Sequence, residues 1–161
     1  MSALQSRDTA LLPRLDRQGG SIPESIVPPA PRGNRVLLVD GDIRSRTVLR
    51  LVLKREGFDV LEGDDGFEAI ELYKRFQETI SVVLLAVHMP ELDGPSTLSA
   101  LRQLNPDICC CFLWDYLGKY RAEELCELGA TTIFTKPLAM REVVNVLCDL
   151  ADRACAAHPG K

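Results

Sequence analysis

The chain predicts an α/β domain in which a five-stranded parallel sheet is covered by helices on both faces. Three observations carry this reading. Short apolar runs alternate with stretches of helical spacing from Arg35 to about Ala157, in the order βαβαβαβαβα. The runs are continuously apolar instead of alternating, as strands buried on both faces are. Glycines and capping residues fall at the ends of the helical stretches, not inside them.

Arg35-Val36-Leu37-Leu38-Val39 is the first apolar run, and it ends at Asp40. Residues 43–56 then show helical spacing through Val48, Leu51 and Val52 and stop at Gly57, a natural residue just past a helix end. Phe58-Asp59-Val60-Leu61 reads as the second strand. Asp65 is placed to cap a helix from Gly66 to about Phe76, with Phe67, Ala69, Ile70 and Tyr73 on its apolar side. Residues 81–87 form the most apolar run and predict a central strand. Pro95 suits the first turn of a helix reaching about Leu104. Residues 108–113 predict a fourth strand, and 121–128 a short helix closed by Gly129. Residues 131–135 predict a fifth strand, and 138 to about 157 a final helix carrying Val143, Val144, Leu147 and Leu150.

The first 33 residues differ in kind. Five of the ten prolines lie there (Pro13, Pro23, Pro28, Pro29, Pro31), with Gly19, Gly20 and Gly33, and no period survives. The reading is a disordered tail over 1–33, one domain over 34–155, and a short tail over 156–161. A net charge of −4 with both signs mixed gives no electrostatic footprint for nucleic acid. No apolar run approaches the roughly 20 residues of a membrane-spanning helix. Ala10-Leu11-Leu12 is too short for the core of a signal peptide and is interrupted by Pro13. Of the six cysteines, Cys109, Cys110 and Cys111 are consecutive, so on a strand they cannot converge on one ion. Cys126, Cys148 and Cys155 lie in helical patterns without a Cys-x-x-Cys pair. Buried, reduced thiols are expected, and with them a reducing, cytoplasmic setting.

In a sheet of this kind ligands bind beyond the carboxyl ends of the strands, near the point where strand order reverses. The residues to question are therefore Asp40, Gly41 and Asp42, then Ala86 to His88, then Trp114 and Asp115, then Lys136 and Pro137. Four segments at these ends, Val39-Asp40-Gly41-Asp42, Asp65-Gly66 with Glu68-Ala69, residues 84–94 (LLAVHMPELDG), and Gly129-Ala130 followed by Thr135-Lys136-Pro137, carry a resemblance. Over about residues 34–150 the chain resembles the response-regulator receiver domain of two-component signalling.

The resemblance implies a flavodoxin-like fold with strand order 2-1-3-4-5. It also implies a site in which an aspartate ending the third strand accepts a phosphoryl group from a histidine kinase. Acidic residues after the first strand would hold Mg²⁺, a lysine after the fifth would pair with the phosphoryl charge, and a hydroxyl after the fourth would contact the product. Carried over, Asp40 and Lys136 match. Gly41 stands at the second acidic position, and Asp42 at a third that is often acidic. Ala86 stands where the nucleophile belongs, and a methyl group neither attacks phosphorus nor coordinates a metal. Trp114 stands at the hydroxyl position, and Ile133 where many members keep a mobile aromatic. The expectation is a degenerate receiver.

Each remaining residue has a sharp and a plain reading. Lys136 is expected to pair with Asp40 or Asp42, not to act as a catalytic group. Asp40 and Asp42 form at best a weak Mg²⁺ site, otherwise a hydrated acidic turn; no other cofactor is expected. His88 is read as a solvent-facing loop residue instead of a phosphorylated one. Asp115 is a substitute acceptor or an ordinary helix-entry carboxylate. Trp114, Tyr116 and Tyr120 are either interface anchors or, for Trp114, filler turned inward. Arg46, Arg50 and Lys54, with Arg44 and Arg55 nearby, make a basic stripe that meets an acidic partner or is simply solvated.

The leading expectation is a non-enzymatic, phosphorylation-independent interaction module. Its partner would be a histidine kinase, a phosphotransfer protein, another receiver or a second copy of itself, with no nucleic acid or membrane partner. With no effector domain following, output would pass through its own surface or tail. The alternatives are a phosphoacceptor using Asp115 or Asp42, and a small-molecule sensor in space opened by Ala86.

Overall fold

The computed structural model describes residues 34–115 and 118–157, without the side chains of 155–157. The proposed N-terminal tail, residues 158–161, Tyr116 and the Cys155 thiol therefore lie outside what is described; residues 156–157, expected to begin the C-terminal tail, instead continue the last helix. Five strands, β1 (Arg35–Val39), β2 (Asp59–Gly63), β3 (Ile80–Ala86), β4 (Cys110–Trp114) and β5 (Thr132–Thr135), form one sheet. Its order is β2-β1-β3-β4-β5, and every neighbouring pair is parallel. The helices are α1 (Ile43–Arg55), α2 (Gly66–Phe76), α3 (Gly94–Leu104), α4 (Ala122–Glu127) and α5 (Met140–Ala157).

Each face of the sheet has its own apolar layer. Val36, Leu38, Val82, Leu84, Cys111 and Leu113 point to the side covered by Leu49 and Leu53 of α1 and Val143 and Leu147 of α5. Leu37, Val39, Val83, Leu85, Cys110 and Phe112 point to the other side, against Tyr73 of α2, Leu98 and Leu101 of α3 and Leu125 of α4. The period-2 alternation of strand side chains sorts one apolar run into two cores. Burying each large aliphatic there is worth about 1.5–3 kcal/mol.

The helix starts follow their caps. Asp42 accepts from the Arg44 N–H (3.1 Å), Asp65 from the Glu68 N–H (2.8 Å) and Asp93 from the Ser96 N–H (2.9 Å). Gly94 lets α3 begin directly against the end of β3. A Cβ there would lie 2.4 Å from the Ala86 carbonyl oxygen, and its N–H donates to the Val87 carbonyl (2.9 Å).

Several expectations need correction. Val48 and Leu51 do not face the sheet: with Ile43 they form the half-exposed outer side of α1, while Leu49 and Leu53 are buried. Phe67 is likewise 54% exposed on α2. In both helices apolar residues lie on more than one side, so spacing alone did not identify the inner stripe. Cys126 and Cys148 are exposed, not buried, whereas Cys110 and Cys111 are buried in β4. The second strand begins one residue later and runs to Gly63, because Phe58 is still folding back from the end of α1, its N–H bonded to the Leu53 carbonyl (3.0 Å).

Candidate functional site

The first crossover from β1 places β2 on one side, and the later ones place β3, β4 and β5 on the other. The carboxyl ends of β1 and β3 therefore frame the crevice where ligands of such sheets bind. Asp40 leaves β1 there and is 2% exposed. One of its carboxylate oxygens accepts from the Asp42 N–H (3.0 Å), and the other from Lys136 Nζ (3.1 Å). Lys136 follows β5, so this ion pair joins the ends of β1 and β5 across the ends of the two strands between them. Its ammonium end is wetter, with the Lys136 side chain 24% exposed.

Ala86 ends β3 inside this frame and is 1% exposed. Gly41 is close to the β3–α3 connection: a Cβ on it would lie 3.2 Å from Pro90 Cδ. The Asp42 carboxylate, exposed at the rim, is engaged in capping α1. Among the described residues, no group of three or more His, Cys, Asp or Glu side chains is arranged to hold a metal ion.

The basic stripe of α1 is not a solvated face along its whole length. Arg46 donates to the Asp40 carbonyl (2.6 Å) and to Glu62 of β2 (3.2 Å), and Arg50 pairs with the same carboxylate (2.8 Å). Glu62 gathers both arginines, which offsets their mutual repulsion. Lys54, Arg44 and Arg55 remain exposed around Ile43, Val48 and Leu51.

Trp114 and Tyr120 are half-buried and pack against the core layer beneath α2, α3 and α4, as Ile133 does. Trp114 thus takes the inward alternative, which removes more apolar surface from water than an exposed indole would. The Tyr120 hydroxyl donates to Asp93 Oδ2 (2.8 Å). Burial pushes the Asp93 carboxyl up, but bonds from Ser96 and Tyr120 and the Lys119 charge outweigh it and hold Asp93 below the usual carboxylate range. Burial, and then the bond to Asp93, push the Tyr120 phenol above its usual range.

His88 is not the free loop residue the sequence suggested. Its Nδ1 lies 2.9 Å from Asp115 Oδ1, and Gly118 sits against the other side of the ring. Sheet register held the signal for this pair. Ala86 stands opposite Leu113, so two further residues along each strand bring 88 opposite 115.

A parallel doubly wound domain with an acid–lysine pair in its switch-point crevice is the arrangement that the sequence resemblance implied. The family model for the response regulator receiver domain matches residues 36–147, and the chain belongs to that family. The transcriptional regulatory protein CpxR of Escherichia coli (strain K12) is 36% identical over 113 residues, covering 69% of this chain and 46% of that protein. The chain thus spans about half the length of the curated relatives it matches first. Among solved structures, the CheX–CheY–BeF3–Mg complex from Borrelia burgdorferi is 28% identical with a TM-score of 0.66, covering 72% of this chain and 87% of that one. A receiver domain from Clostridium thermocellum reaches a TM-score of 0.71 at 19% identity, covering 76% and 98%, and bears on the fold alone.

Proposed function

We propose that this receiver domain does not take up a phosphoryl group at its third-strand position and signals by protein contact within a two-component phosphorelay. The observation that carries this is Ala86, buried at the end of β3 in the crevice where the family places its acceptor. Phosphoryl transfer to a receiver needs an attacking oxygen and a divalent ion to take up the charge. Position 86 has no such oxygen. Both oxygens of Asp40 already have donors, and Asp42 caps a helix.

The residues present therefore do not fit the Mg²⁺ site of an active receiver, and no catalytic step is assigned to them. The other carboxylate near the crevice, Asp115, is bonded to His88.

Recognition falls on α1. Ile43, Val48 and Leu51 expose an apolar strip rimmed by Arg44, Lys54 and Arg55. A histidine kinase or phosphotransfer protein with an apolar helix bearing acidic residues complements that strip.

The test is incubation of the full chain with acetyl phosphate and Mg²⁺, read by intact mass. The expected result is no adduct, and no thermal shift with beryllofluoride and Mg²⁺. A stable adduct of about 80 Da, the mass of one HPO₃ group, lost on a single Asp→Asn change, refutes the reading.

A further inference from the structure

We infer that two side-chain bonds latch the end of β4 and the start of α4 onto the segment that follows β3, holding this face in one arrangement without any ligand in the crevice. The first bond is His88 to Asp115 (2.9 Å) and the second is Tyr120 to Asp93 (2.8 Å). His88 and Asp93 belong to one short connection between β3 and α3, and Asp115 and Tyr120 flank the connection between β4 and α4. The two bonds therefore tie the same pair of connections at two points.

The surroundings of each bond favour rigidity. Asp93 is itself fixed by capping α3, and its backbone carbonyl accepts from the Thr97 hydroxyl (2.8 Å). The His88 ring is closed over by Gly118, whose φ is +87° and whose added Cβ would lie 2.0 Å from Nε2. Gly118 therefore lies against the imidazole at a position where only glycine fits. Tyr120 packs its ring on the same core layer as Trp114 and Met89. Each element joined by the latch is thus anchored elsewhere.

Both bonds are made by groups that need no phosphoryl oxygen, so they hold the start of α4 and the end of β4 by the fold alone. The inference stands on these contacts and does not depend on the chemistry at position 86.

Native-state amide exchange of the full chain tests it. One probe is the Leu125 amide, bonded to the Arg121 carbonyl in the first turn of α4 (3.1 Å); another is the Val87 amide, bonded to the Leu113 carbonyl at the end of β4 (3.0 Å). The Arg46 amide, bonded to the Asp42 carbonyl (3.0 Å), is the control on α1. Losing one ordinary hydrogen bond changes a local opening equilibrium about fivefold. Tyr120→Phe, which keeps the ring in the core, should speed exchange at Leu125 by about that factor. His88→Leu should do the same at Val87, and the double variant should speed both by more than tenfold, with Arg46 unchanged. Unchanged rates at Leu125 and Val87 in the double variant would overturn the inference. So would an equal rise at all three amides, because that reports global loosening instead of a latch.

Discussion

Replacing Lys136 by Met tests how much of the domain rests on the Lys136–Asp40 ion pair in its crevice. The change removes the ammonium that faces Asp40 and retains most of the side chain's volume. Asp40 is 2% exposed, so its carboxylate would keep the Asp42 N–H as a donor but lose its cation. Breaking a fully buried pair costs about 3–5 kcal/mol. Lys136 itself is 24% exposed, so water reaches the vacated end and lowers the cost to about 2–3 kcal/mol. For a domain of about 120 residues that corresponds to a fall in Tm of roughly 8–12 °C. Asp40→Asn retains an acceptor for the Asp42 N–H and leaves a lysine free to reach water, so its cost should be nearer 1 kcal/mol. The double variant should be more stable than the sum of the singles requires, by at least about 1 kcal/mol of coupling. Urea unfolding of the four proteins measures this. Additivity within about 0.5 kcal/mol, or a Lys136→Met cost below that figure, would show that the pair is not what satisfies Asp40.

Gly118→Ala should destabilise by well over 1 kcal/mol, since it combines a positive φ with a methyl driven into the His88 ring; a Tm within 2 °C of the parent would refute this. The Tyr120–Asp93 bond should stabilise across neutral pH. Asp93 titrates below the usual carboxylate range, so its contribution is present above about pH 4 and lost as acid protonates it; Tyr120 titrates above its usual range, so its contribution is present below about pH 10 and lost beyond. The Tm gap between the parent and Tyr120→Phe should therefore be flat from about pH 5 to 9 and close at both extremes, and a gap that grows in acid would contradict it. Native alkylation at pH 8 should modify Cys126 and Cys148 but spare Cys110 and Cys111. Burial raises the Cys110 thiol far above its usual range and pushes Cys111 up to about 12. Peptide mass analysis before and after denaturation reads the difference.

Most of the architecture was legible because the strands announce themselves. Runs such as Val36 to Val39 and Val82 to Leu85 are apolar at every position, which only a strand covered on both faces requires. The cap Asp65, the proline in the first turn of α3 and the stops after α1 and α4 are local chemistry and could be read residue by residue, whereas the Asp93 cap was not. Orientation was less accessible. In α1 both Leu49–Leu53 and Val48–Leu51 are helically spaced apolar pairs, and choosing between them needs the position of β1. The contacts missed altogether join residues far apart in the chain. His88 meets Asp115 and Asp93 meets Tyr120 only through the register of β3 with β4, and Glu62 draws in Arg46 and Arg50 only because β2 lies beside α1.

Asp40 and Lys136 are the residues that most strongly suggest retained phosphate chemistry, yet their geometry has a simpler cause. A carboxylate closed off from water must have compensating charge or lose stability. With no acid at position 86 to share a metal, the lysine just after β5 supplies that charge from 3.1 Å. Once either residue is present, the fold penalises loss of the other. Their joint presence is therefore explained without any transfer reaction. The distinction has a consequence in the double replacement by apolar residues of similar size. If the pair is only mutual compensation, Asp40→Leu with Lys136→Met should unfold no more readily than Lys136→Met alone, since no uncompensated charge remains. A double variant several kcal/mol less stable than Lys136→Met would mean that Asp40 serves the crevice in some way beyond neutralising its partner.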